Sequence, residues 1–194
     1  MHRVAYIFII VSITFVSFYS VALQNTTMTK FIDFTNPKEA QNWVIVNDTV
    51  MGGRSQATVE TQSDMLIFSG DLSLQNNGGF ASTRRVYNGV SWDSDKSFEI
   101  KVLGDGRNYQ FRLRTNRNVD GVAYVANFKT EKNQTQTMRF KLSDFTPQFR
   151  GRLVRSAEKL DFANIAQMGF MLADKREGGF VLKVLSISQV VDFQ

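Results

Sequence analysis

From about Lys30 onward, apolar and polar residues alternate with the period of a half-buried β-strand. Residues 97–102 (SFEIKV) put Phe98, Ile100 and Val102 on one face. Residues 108–114 send Tyr109, Phe111 and Leu113 one way, and Gln110, Arg112 and Arg114 the other. The period returns in residues 122–128, and residues 136–142 and 180–187 read as further strands. Gly-Asp-Gly at 104–106 and the stretch 118–121 carry turn chemistry between them. Helical periodicity is sparse, with one short helix at 36–42 and one turn at 157–162. Many short strands at regular spacing predict an all-β antiparallel sandwich or barrel. No fixed-period repeat and no low-complexity linker divides the chain, so one domain is expected.

The first 22 residues depart from this pattern. Arg3 precedes an apolar run over 4–22 that ends in Ser20-Val21-Ala22, a small-x-small cleavage site. This is the layout of a secretory signal peptide, with cleavage expected near Ala22. An uncleaved membrane anchor is the alternative, since the run approaches the length of a bilayer span. Either way an exported chain is expected, periplasmic or extracellular. Asn25-Thr26-Thr27, Asn47-Asp48-Thr49 and Asn133-Gln134-Thr135 fit the N-glycosylation pattern, which matters only in a host that uses it.

Composition narrows the chemistry. The chain has 194 residues and no cysteine, so disulfides, thiolate nucleophiles and Cys-based zinc sites are all absent. Its sole histidine is His2, inside the leader. A cleaved chain has no Ser–His or Cys–His machinery and no His-ligated metal. The formal net charge of +5 favours anionic partners only weakly, and no dense Lys/Arg block appears. Stability must come from packing, for which 17 Phe residues are available.

Three local motifs stand out. The first runs from Trp43 to Ser55 and contains Asn47-Asp48-Thr49-Val50-Met51-Gly52-Gly53. The second is Phe68-Ser69-Gly70 followed by Asn76-Asn77-Gly78-Gly79-Phe80-Ala81-Ser82-Thr83-Arg84. The third is Gly104-Asp105-Gly106-Arg107-Asn108-Tyr109 leading into Phe111-Arg112-Leu113-Arg114. In this order and spacing they resemble the CIA30 family, the complex I intermediate-associated protein 30 domain. The resemblance continues through Leu142-Ser143-Asp144-Phe145, residues 165–174 and Glu177-Gly178-Gly179-Phe180, and covers residues 31–190. It implies a galactose-binding-like jelly-roll β-sandwich, in agreement with the alternation. The family's mitochondrial member is an assembly factor for respiratory complex I. Plant and cyanobacterial relatives fuse the domain to a dinucleotide-binding domain. This chain shows no G-x-G-x-x-G after a strand, and its leader is apolar rather than an Arg-rich transit peptide.

Each candidate site residue has a structural reading beside a functional one. Met51, Gly52, Gly53, Asn77, Gly78 and Gly79 belong to loops where glycine permits tight backbone geometry. Functionally, these loops form one rim of the sandwich and offer backbone N–H groups to a ligand. Asn47 and Asp48 either cap a turn or supply oxygen ligands to Ca²⁺. Arg84, Arg107, Arg112 and Arg114 either form a polar face paired with Glu99 or Asp105, or recognise carboxylates or phosphates. Trp43 reads as a packing residue and Trp92 as an exposed stacking surface. The carboxylates Asp48, Asp105, Asp120, Asp144, Asp161 and Asp174 are scattered, whereas a glycosidase needs two of them about 5–10 Å apart.

The expectation is therefore a non-enzymatic binding or assembly module for a protein partner or membrane complex. An exported carbohydrate-binding module is the alternative. No cofactor or bound metal is expected. No nucleic-acid partner is expected either, because alternation separates the aromatic residues from the arginines.

Overall fold

The computed structural model describes residues 29–30, 32–87, 91–118 and 120–191. The leader, residues 1–22, and the Asn25 tripeptide lie outside the described residues. The strands are β1 (Thr29–Lys30), β2 (Trp43–Asn47), β3 (Gln56–Gln62), β4 (Met65–Leu72), β5 (Ala81–Val86), β6 (Lys96–Leu103), β7 (Asn108–Arg114), β8 (Ala123–Lys129), β9 (Thr135–Phe140), β10 (Thr146–Phe149), β11 (Arg152–Leu153), β12 (Gln167–Leu172) and β13 (Gly178–Val191).

They form two antiparallel sheets. One has the order β3-β4-β13-β6-β9, with β1 also paired to β13. The other has the order β11-β10-β8-β7-β12-β5-β2. The sheets close on an aromatic core. Phe98 of the first sheet meets Phe111 of the second edge-on at 5.6 Å, and Phe111 stacks on Phe170 at 5.5 Å. Aromatic pairs at these separations add to the area they bury. This packing supplies what disulfides cannot in a chain without cysteine.

The strands read from alternation at 97–102, 108–114, 122–128, 136–142 and 180–187 are all present, with shifted ends. Strand β12 was hidden. Its inward residues Met168, Phe170 and Leu172 are buried, but so are Gln167 and Gly169 on the other face. Gln167 is held there by donating to the carbonyls of Asn116 and Asn118. An apolar run with a glycine in it carries no period-two signal.

Three expectations are corrected. The helix at 36–42 shrinks to a single 3-10 turn, Glu39–Asn42. Asp33 and Asn36 bond backbone N–H groups two residues on, which competes with helix formation. The turn at 157–162 falls instead at Phe162–Asn164, where Asp161 accepts from Ala163 N at 2.9 Å. Trp92 is not a stacking surface. It is 1% exposed and lies between Tyr87 and Phe98, with centroids at 5.6 and 4.8 Å.

Candidate functional site

The outer face of the seven-stranded sheet carries a groove of about 610 Å³. Its floor follows from strand register. Arg84 of β5 and Arg112 of β7 both pair with Gly169 of β12, so the three residues lie in one row across the sheet. One residue pair along, Ser82, Met171 and Gln110 form a parallel row. On the other side Val86, Gln167 and Arg114 form a third. The alternation of β7 places Tyr109, Phe111 and Leu113 fully in the core, so Gln110, Arg112 and Arg114 all face the groove.

Gly169 is required at the centre. A Cβ there would stand 2.1 Å from the Thr83 carbonyl oxygen, so only glycine lets β5 approach this closely. The bare position separates Arg84 from Arg112 across two strand spacings, about 10 Å.

The rim is built by the first two motifs, which Asp48 locks into one unit. Its carboxylate accepts from Ser55 N at 2.9 Å, Ser55 Oγ at 2.5 Å, Gly79 N at 2.6 Å and Phe80 N at 3.2 Å. A Cβ at Gly53 or Gly78 would fall on this carboxylate, at 2.4 and 2.6 Å. Burial pushes the Asp48 pKa up, but the bonds from Ser55, Gly79 and Phe80 outweigh it and hold the pKa below the usual carboxylate value. The motif glycines thus pack over a saturated carboxylate. Its two oxygens accept from donors in the two loops, seven to 32 residues away, so it cross-links the loops instead of capping its own turn through local bonds. Asn76 Nδ2 adds a bond to the Gly52 carbonyl at 3.1 Å. The locked loops present Val50, Met51 and Leu74 as an exposed apolar rim.

The arginines divide into two groups. Arg84, Arg112 and Arg114 share the groove. Arg112 donates to Gln110 Oε1 at 2.7 Å and to Met171 Sδ at 3.0 Å. Arg114 donates to the Gly121 carbonyl at 2.6 Å and the Val122 carbonyl at 3.3 Å. These acceptors are neutral. Burial, then the neighbouring guanidinium groups, push Arg112 down to about 10; burial, then Arg84, do the same to Arg114. Arg84 is lowered too, chiefly by burial, with Asp120 opposing.

Arg107 does not reach the groove. It is buried and grips Asp174 through Nε at 3.0 Å and Nη2 at 2.6 Å, and also holds the carbonyls of Arg176, Gly178 and Gly179. It therefore pins the β12–β13 turn. The expected pairing of the groove arginines with Glu99 or Asp105 is also absent. Glu99 accepts from Arg139 at 2.7 Å, and Asp105 accepts from Tyr109 Oη and Val181 N. Asn47 lies beside Asp48 with its Oδ1 buried and without a hydrogen-bond partner, and Asn77 is exposed next to Gly78.

Alternation did not point to the other groove residues. Arg150 and Lys175 bring two more cations, and Asp120 is the one carboxylate among the described lining residues. Asp120 accepts from Arg150 at 2.9 Å. Five cationic side chains thus surround one carboxylate, which leaves no carboxyl pair in the groove for a glycosidase mechanism. The described residues contain no cluster of three or more His, Cys, Asp or Glu able to hold a metal ion.

The strand order, the Asp48 lock and the groove come together in residues matched by one family. The Complex I intermediate-associated protein 30 (CIA30) family matches residues 32–184. The chain belongs to this family. The mitochondrial complex I intermediate-associated protein 30 of Mus musculus is 22% identical over 82% of the chain and 55% of its own length. The chain thus spans about half the length of that relative. Among solved structures, the family 11 carbohydrate-binding module of the cellulase Lic26A-Cel5E of Clostridium thermocellum superposes with a TM-score of 0.64. It is 16% identical, over 87% of this chain and 97% of that one. The agarase AgWH50C superposes with a TM-score of 0.59 at 10% identity, over 86% of this chain and 25% of the agarase. At such identities the likeness describes the sandwich fold.

Proposed function

We propose that this CIA30-family sandwich is a non-catalytic binding module that engages a protein partner or membrane complex during assembly, through the arginine-lined groove. The observation that carries this reading is the groove itself. Three partly desolvated guanidinium groups are held on one sheet face, two of them, Arg112 and Arg114, on neutral hydrogen-bond acceptors, beside an apolar rim that a family motif builds. Such an arrangement is a poor stabiliser of the free protein and a good receptor for an external anion. The family supplies the assembly role. The apolar leader supports an exported or membrane-anchored location.

The test is affinity capture from native membranes with the full chain and with the double variant Arg112→Gln/Arg114→Gln. The full chain is expected to recover a reproducible partner and the variant to lose it. Recovery of the same partner by both would sink the groove reading. N-terminal sequencing of the recovered chain separates cleavage at Ala22 from retention of the anchor.

The likeness to a carbohydrate-binding module favours a second reading, an exported sugar-binding module. Sugar platforms commonly use exposed aromatic rings; Trp43, Trp92, Tyr87, Tyr109 and Tyr124 are all buried here, and the exposed Phe149 is covered by the Arg150 guanidinium at 5.2 Å. A glycan array with no signal above background disposes of it.

A further inference from the structure

We infer that the groove's ligand is an acidic, extended peptide segment of the partner, with carboxylates on the arginine floor and an apolar side chain on the Val50-Met51-Leu74 rim. This rests on the groove being the binding site, and adds the chemistry of what it binds.

The first argument is spacing. Arg112 and Arg114 lie two residues apart on one strand, about 7 Å. Residues two apart on an extended peptide have the same separation and point to the same side. A segment with acidic residues at alternate positions therefore offers carboxylates in step with these two guanidinium groups. Arg84 lies across the bare Gly169 position, about 10 Å from Arg112, and adds positive charge beside the path of the segment. Planar guanidinium forks suit carboxylates in pairs of parallel bonds.

The second argument is charge. Five cations face a single carboxylate in the groove, and Arg150 already binds that carboxylate. The hydrogen bonds of Arg112 and Arg114 go to an amide oxygen, a thioether sulfur and two backbone carbonyls, leaving each guanidinium without a counter-charge in contact. Burial and repulsion among the guanidinium groups press the pKa of both down to about 10, with Asp120 opposing at Arg114, and an incoming anion relieves that pressure.

The third argument selects peptide over polysaccharide. A uronate or sulfated chain could satisfy the arginines, but it has no apolar side chain to place on the rim. Val50 and Met51 are 71% and 60% exposed, adjoining half-exposed Leu74, and no tryptophan or tyrosine lines the groove among the described residues. Aliphatic and thioether side chains on loops make an adaptable apolar contact for a side chain from a protein.

The test is fluorescence anisotropy on the full chain with a labelled peptide that alternates Glu and Leu. Its Gln-for-Glu and Ser-for-Leu counterparts and an oligogalacturonate are the comparison ligands. The Glu-Leu peptide is expected to bind, with affinity falling as salt is raised. The Gln peptide is expected to bind at least about tenfold more weakly. Arg112→Gln/Arg114→Gln should lose at least about tenfold in affinity for the Glu-Leu peptide with an undiminished melting temperature. Arg150→Glu, at the open mouth, should weaken the same peptide without entering the floor. Met51→Ser should weaken the Glu-Leu peptide and leave the Ser-for-Leu peptide unchanged. Equal binding of Glu and Gln peptides overturns the inference, as does tighter binding of the oligogalacturonate. Failure of the Glu-Leu peptide to bind, in a protein whose arginine variants still lose the native partner, overturns the acidic chemistry and leaves the groove as the site.

Discussion

Asp48 shows how one side chain decides what two motifs are for. Its sequence neighbourhood is that of a loop acid open to a ligand, yet it is fully buried and accepts four hydrogen bonds from the two loops it joins. Asp48→Asn replaces one accepting oxygen by a donor that faces other donors. The expected loss is about 2–3 kcal/mol, measured by urea denaturation near neutral pH. The sign of the pH dependence follows from the lowered pKa. Below-normal affinity for the proton in the folded state means that the contribution is present above the unfolded-state pKa, about 3.9. It is lost as pH falls through the lower folded value. The acid limb of the stability profile should therefore flatten in the variant. Arg107 makes the complementary point. It has the same strand parity as Tyr109, Phe111 and Leu113, so alternation carried one step back already placed it on the inner side. Residue type groups it with Arg112 and Arg114, and strand parity separates it from them.

Strands β7 and β12 explain what was legible at the scale of elements. Strand β7 alternates so cleanly that its core and groove faces can be read from seven letters. Strand β12 cannot be read this way, because Gly169 has no side chain and Gln167 is buried by bonds to a distant turn. The groove floor depends on both strands, and hence only its β7 half was visible. Arg150 and Lys175 come from turns, where no periodicity marks which surface a side chain joins. A glycine inside an apolar run was the available sign that another backbone approaches there. Gly169→Ala tests that reading. The added Cβ must displace the Thr83 carbonyl from 2.1 Å, so β5 and β12 must part. A destabilisation of about 2 kcal/mol or more is expected in a denaturant titration. Weaker peptide binding should accompany it, because Arg84 and Arg112 lose their shared row. A fully stable variant would mean that the two strands do not approach as described.

At the scale of the molecule, two sheets seal an aromatic core and leave one outer face concave and cationic. The family and the sandwich were legible in the sequence, because they depend on local motifs and strand period. The groove was not, because register and turn placement assemble it from strands and loops far apart in the chain. Its location makes the central claim open to a direct measurement. A benzophenone photocrosslinker is placed at Val50 on the groove rim, or at Thr58 on β3 of the opposite sheet, and irradiated in native membranes. The account expects a partner crosslink from position 50 that the Arg112→Gln/Arg114→Gln background abolishes, and none from position 58. A partner crosslink from position 58 alone would contradict it.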